Sequence, residues 1–114
     1  MHTIRNRVQL LGRLGSDPET KTLEGAKKLV TFSVATNETY TNAAGEKVEE
    51  TQWHHIATWG KMAERAEQQA KKGSEVMIEG KIVHRTYTDK EGIKRYATEV
   101  HANELLILEK KNQD

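Results

Sequence analysis

Both tryptophans of the chain, Trp53 and Trp59, lie in the stretch TQWHHIATWGK at residues 51–61. Read as a strand, alternate residues face opposite ways. Trp53, His55, Ala57 and Trp59 then share one face, and His54, Ile56 and Thr58 share the other. The second face is small and largely aliphatic, as a core requires. The first carries two flat rings with an ionisable imidazole between them and Lys61 just beyond. Rings so arranged can stack successive nucleobases while the positive groups follow the phosphates. The competing reading puts both indoles in the core, where tryptophan is usually largely buried. Metal chelation by the adjacent histidines is excluded, because His54 and His55 point to opposite faces.

The elements that must position these groups follow from periodicity. Residues 4–14 alternate weakly, with Val8, Leu10 and Leu14 on one side and Arg7, Gln9 and Arg13 on the other, which predicts a strand. Gly12 within it allows a bend or a close backbone approach. Gly15-Ser16-Asp17-Pro18 ends the strand with turn residues, and Glu24–Lys27 marks a further turn. Residues 29–37 form a second strand with Val30, Phe32 and Val34 inward. The acid-rich ETYTNAAGEKVEE that follows reads as a long hairpin loop. Tyr40 sits at its base, and alternation carried that far puts its ring on the core side unless a bulge intervenes near Asn37.

After the tryptophan-bearing strand, residues 61–72 (KMAERAEQQAKK) are good helix formers. Met62, Ala66 and Ala70 make a narrow apolar stripe. Glu64 near the start and Lys71-Lys72 at the end suit the helix dipole, and Gly73 fits the position just past the end. Residues 75–88 return to strand, with Val76, Ile78, Gly80 and Ile82 inward and Lys81, Arg85 and Tyr87 outward. Residues 94–108 form the last strand, in which Tyr96, Thr98, Val100 and Ala102 share one face and Arg95, Ala97, Glu99 and His101 the other. The order is three strands, one short helix, two strands. That order, with glycines that permit curvature, predicts an all-β OB fold: a five-stranded Greek-key barrel with the helix between strands 3 and 4. A split β-sandwich is the competing architecture.

Composition narrows the function. The 114 residues suffice for one compact domain. Cysteine is absent, so disulfides and thiolate metal sites are excluded. No apolar run is long enough to span a membrane and the N-terminus lacks the apolar core of a signal peptide, so a cytoplasmic location is expected. The net charge is only +1, although 31% of the residues are charged. Any anion-binding surface must therefore come from segregation of charge. Arg5, Arg7 and Arg13 occupy the first segment with no acid among them, while acids gather in GEKVEE at residues 45–50.

The motifs NRVQLLGRLGSDPE, TFSVATNETY, TQWHHIATWGKMAERA, KKGSEVMIEGKI and RTYTDKEGIKRYATEV, in this order and spacing, resemble the bacterial single-stranded DNA-binding proteins over residues 4–105. The resemblance implies an OB-fold domain over residues 1–108 and a short polar end over 109–114. It also implies a homotetramer that binds and protects single-stranded DNA, with little sequence preference, in replication, recombination and repair. Matched residue by residue, the family's stacking positions fall on Tyr40, Trp53, Trp59 and Tyr87, where Trp, Trp, Phe and Trp are usual. Only six aromatics exist in the chain; these four go to the surface and Phe32 and Tyr96 to the core. The matching phosphate contacts are Arg7, His55, Lys61, Lys72 and Arg85, with Arg5 and Arg95 as lesser candidates. His55 stands where Arg is usual, so that contact should be weaker and acid-sensitive. His54 matches a histidine of the subunit interface, or is simply a hydrogen-bonded core residue. Lys27, Lys28, Lys71, Lys90 and Lys94 read as solvated surface charges.

The family usually ends in a flexible extension with an acidic tip that recruits replication and repair proteins. This sequence stops at Asp114 without one, which puts such partners in doubt. No cofactor and no metal are expected. Catalysis is disfavoured, because there is no HExxH, no phosphate-binding glycine loop and no distinctive carboxylate pair. The nearest alternative is the dimeric OB protein of the replication-restart primosome, which also binds single strands. An OB domain for oligosaccharides or proteins is a further rival.

Overall fold

The computed structural model of the chain describes residues 4–109. The polar end expected over 109–114 lies, beyond Glu109, outside the described residues. Six strands and one helix follow in order: β1 (Val8–Leu14), β2 (Glu19–Leu23), β3 (Lys27–Thr41), β4 (Lys47–Trp59), α1 (Gly60–Gln69), β5 (Glu75–Thr88) and β6 (Lys94–Glu109). A single 3-10 turn, Glu24–Ala26, joins β2 to β3.

Neighbouring strands run β1-β5-β6-β4-β3, and β1 pairs again with β3 at Arg13↔Ala35 and Leu14↔Val34 to close the barrel. All pairings are antiparallel except β4 with β6. This is the five-stranded barrel expected, with α1 between its third and fourth strands. Closure brings backbones together at Gly12, where a Cβ would lie 2.2 Å from the Ala35 carbonyl oxygen. The strand can turn that corner only because the side chain is missing.

The core is aliphatic: Val30, Phe32 and Val34 from β3, Ile56 from β4, Val76 and Ile78 from β5, and Val100 and Leu105 from β6. Each such side chain, once fully buried, contributes roughly 1.5–3 kcal/mol of transfer free energy. The alternation of the tryptophan strand holds here, since Ile56 and Thr58 are buried while Trp53 and Trp59 are not. The buried Thr58 hydroxyl donates to the Val30 carbonyl at 2.8 Å, so no polar group is stranded. Ala63, Ala66 and Ala70 seat α1 over β3, β4 and β6, and Arg65 donates to the Leu105 carbonyl.

Four expectations need correction. β2 is a sixth strand that periodicity missed. All five of its residues are exposed, so no alternation announces it; it exists because the edge of β3 offers backbone partners from Lys27 to Thr31. The supposed loop after Asn37 is a hairpin instead, with continuous β3–β4 register from Leu29↔Trp59 to Thr41↔Lys47 and no bulge. Helix α1 stops at Gln69, so neither Glu64 nor Lys71-Lys72 falls in its end turns, and Gly73 belongs to the following turn. Finally, Tyr96 is not core. It is 76% exposed, because β5 and β6 outrun the barrel and neither face of their outer half meets a second layer.

Candidate nucleic-acid interface

In register, Leu29↔Trp59, Thr31↔Ala57, Ser33↔His55 and Ala35↔Trp53 pair across β3 and β4, and Ala57 pairs with His101 across β4 and β6. On the other side of β6, His101 pairs with Lys81, Ala97 with Arg85 and Arg95 with Tyr87. Directly paired residues project from the same face of a sheet. One outward surface therefore runs over four strands and carries Trp53, His55, Trp59, His101, Glu99, Arg85 and Tyr87.

That surface borders a cavity of about 1190 Å³ lined by residues of all six strands. Trp53, Trp59 and Tyr87 line it at 57%, 39% and 44% exposure. Trp53 is held from below: a Cβ on Gly15 would sit 2.3 Å from its six-membered ring. The missing side chain at Gly15 thus leaves room for the edge of the indole. Trp59 ends β4 where the chain switches into α1 at Gly60, and its ring meets His101 edge-on, with centroids 4.7 Å apart and planes at 67°.

Charges along this surface are tied in sequence. Glu99 accepts from Arg85 Nε at 3.0 Å and approaches Arg85 Nη2 at 2.9 Å. Its other oxygen lies 3.1 Å from His101 Nε2. The Arg85 guanidinium in turn rests 5.3 Å from the centre of the Tyr87 ring, within cation–π range. The hydrogen bond from Arg85, helped by that from His101, holds the Glu99 carboxyl below its usual range against partial burial. The same bond raises Arg85. With Arg85 half exposed, such a pair contributes at most about 1 kcal/mol to stability. Its consequence is positional: Tyr87, Arg85, Glu99, His101 and Trp59 form one connected row over β5, β6 and β4.

The other sequence-derived candidates lie apart. Tyr40, 49% exposed, is far along the β3–β4 hairpin and does not line the cavity. Parity did place it on the inner side with Val34; its ring is exposed because the strand has left the barrel by then. Lys61 is exposed at the start of α1, and Lys72 lies on the α1–β5 loop, where its backbone N–H donates to Asp17 at 2.8 Å. Arg7 pairs with Glu79 at 2.5 Å, beside β1 and β5 and outside the cavity. His54 borders the cavity from the core side of β4, half-buried, and shares a hydrogen bond of 2.9 Å with the Thr36 hydroxyl. Arg95 is engaged by Asp89 at 2.9 Å and Lys28 by Glu67 at 2.7 Å.

Sequence reasoning missed Glu99, His101 and Tyr96. Parity did put Glu99 and His101 on the face of Arg95, but nothing local showed that β6 would lie between the tryptophan strand and Tyr87. Among the described residues no group of three or more His, Asp or Glu side chains is placed to hold a metal ion. None of their helices is long and apolar enough to cross a membrane.

Known proteins share this sequence and shape. A single-stranded DNA-binding protein of Neisseria meningitidis serogroup A is 44% identical over 109 residues, which cover 96% of this chain and 63% of that protein. Single-stranded DNA-binding protein 1 of Xylella fastidiosa is 42% identical over 110 residues, 96% of this chain and 81% of that one. This chain thus spans less than two thirds of the Neisseria relative. Among solved structures, a Plasmodium falciparum SSB complex with ssDNA superposes with a TM-score of 0.85 at 27% identity, covering 96% of this chain and 99% of the other. The profile of the single-strand binding protein family matches residues 5–108, and the chain belongs to that family.

Proposed function

We propose that the protein binds single-stranded DNA with little sequence preference and shields it during replication, recombination and repair. The observation that carries this reading is the outward surface on which Trp53, Trp59 and Tyr87 border one cavity with Arg85 and His55 among them. Bases stack on the three rings, and on Tyr40 where a longer strand reaches the β3–β4 hairpin. Stacking on an aromatic side chain is worth about 1–3 kcal/mol per base, a magnitude established on single-strand binders of this very family and carried over from them to this chain. Every base has a π face, so such contacts ignore sequence. Arg85 and His55 meet phosphates within the cavity, and Lys61 and Lys72 meet them beyond it. Arg7, paired to Glu79 on another face, is the phosphate candidate that position supports least. The reading is one of binding without catalysis.

A second copy of the chain is the partner that best covers the outside of β1, β5 and β6. Leu11, Met77 and Leu106 pair across those three strands in one row. Leu11 and Leu106 are 51% and 55% exposed, with Leu108 beside them at 49%. Such a row of apolar side chains is costly to leave in water. Among the described residues, the second edge of β1 is paired only at Arg13 and Leu14. Both features favour assembly, and the family favours a homotetramer. His54, the interface position that the family suggests, stands on the core side of β4 with Thr36 as its partner and not on this row, so an interface that used it would be a different one.

Titration with dT oligonucleotides tests the reading. Tryptophan emission should be quenched on binding, and log affinity should fall linearly with log salt by about 0.7 per phosphate neutralised. Trp53→Ala should weaken binding by up to about 3 kcal/mol while circular dichroism stays unchanged. Salt-independent binding, or no binding, overturns the proposal. Light scattering reads the assembly in the same samples, and a stable dimer would favour the primosomal alternative.

A further inference from the structure

We infer that Tyr96, with Lys94, forms an additional base-stacking platform on the reverse face of the β5–β6 hairpin, so that bound single-stranded DNA passes around this hairpin and does not stay on one side of it. The inference rests on the function proposed above. Tyr87 pairs with Arg95 and Tyr96 with Thr86, which are successive rungs of one ladder. Successive rungs face opposite ways, so the hairpin carries a tyrosine on each face. Each ring has a cation two residues away on its own strand. Arg85 lies 5.3 Å from the centre of Tyr87, and Lys94 Nζ lies 5.8 Å from the centre of Tyr96.

A single exposed ring needs no explanation; Tyr96 has further features. It is the most exposed aromatic among the described residues, at 76%. It lines the same cavity as Trp53, Trp59 and Tyr87. The hairpin around it is basic, with Arg85, Lys90, Lys94 and Arg95 against Asp89 and Glu91. A cation within cation–π range of a ring that is itself largely exposed suits a base and its phosphate together. An apolar partner would have to desolvate Lys94.

The test compares Tyr96→Ala and Tyr96→Phe with the unaltered protein on dT oligonucleotides of increasing length, with Trp53→Ala as reference. The long oligonucleotides should lose about 5- to 30-fold in affinity with Tyr96→Ala. The shortest ones that still quench tryptophan should be unaffected, and Tyr96→Phe should restore the loss. Light scattering should show the same mass throughout. Equal affinity of Tyr96→Ala at every length, beside a weakened Trp53→Ala, overturns this inference and leaves the function standing. Unchanged binding in both variants overturns the function itself. A fall in mass with Tyr96→Ala assigns the ring to contact with a second copy and also overturns the inference.

Discussion

The β3–β4 and β5–β6 hairpins are built on one backbone plan and carry opposite chemistry. In the first, Asn42 Oδ1 accepts from the backbone N–H groups of Ala44 and Glu46, both at 2.9 Å. In the second, Asp89 Oδ1 accepts from Glu91 and Ile93 at the same distances. A glycine stands three residues on in each, Gly45 with φ 81° and Gly92 with φ 80°, where a side chain would be strained. From residue 38 to 50 the first hairpin carries four acids against one lysine; from 84 to 96 the second carries four bases against two acids. The turn device is therefore indifferent to ligand. The two hairpins differ instead in the charge displayed beside their aromatic rings. Tyr87 has a guanidinium at its face, whereas Tyr40 sits in register with Val48, with Glu38, Glu49 and Glu50 close by.

The largest effect should separate barrel from hairpin on a single strand. Phe32→Ala, in the buried half of β3, should lower unfolding free energy by about 3–5 kcal/mol in chemical denaturation. Tyr40→Ala, eight residues along the same strand, should leave the midpoint unchanged within about 0.5 kcal/mol. Equal destabilisation would mean that the hairpin belongs to the core after all.

Next in size, Tyr87→Ala should cost single-strand affinity about 1–3 kcal/mol, measured by fluorescence titration. Tyr40→Ala should cost less, because a phosphate drawn to Tyr40 approaches carboxylates. A greater loss from Tyr40→Ala than from Tyr87→Ala would break the charge argument. Adding salt should narrow the gap between the two variants, since screening weakens both repulsion and attraction.

The smallest effect lies in the turns. Hydrogen bonding from Arg95, then from the Ile93 backbone, holds the Asp89 carboxyl below its ordinary value of 3.8. A carboxylate lowered in this way stabilises its turn fully above the unfolded value and loses that contribution as pH falls through the folded one. Amide-exchange protection around Asp89 should therefore fade as the pH drops below about 4, while the neutral Asn42 turn keeps its protection. Asp89→Asn should make the two turns respond alike. Loss of protection at both turns together would point to global acid unfolding instead.

Alternation put Ile56 and Thr58 on one side of the strand and Trp53 and Trp59 on the other, and separated His54 from His55, while leaving a core place for the indoles open. Those assignments needed only the two-residue repeat of a strand with one face on a core. The resemblance added what alternation denied, an exposed Tyr40. It did not expose Tyr96, which shares the face of Val100 and which the allocation of the six aromatics wrongly gave to the core. Both errors have one cause. Parity tells which side a residue faces, and it cannot tell where the second layer stops; past that point both sides of a strand meet solvent. The exposed β2 was invisible for a related reason, because a strand with no buried face has no hydrophobic signal.

The ordered row from Tyr87 through Arg85, Glu99 and His101 to Trp59 was written in no local stretch. It depends on β6 settling between β4 and β5, with a parallel pairing that brings His101 beside Ala57. Residue types and strand parity thus determined which side chains could face a nucleic acid. Barrel closure and the length by which two hairpins overrun it decided which of them share a surface, because contacts between strands distant in sequence form only when the sheet closes on itself.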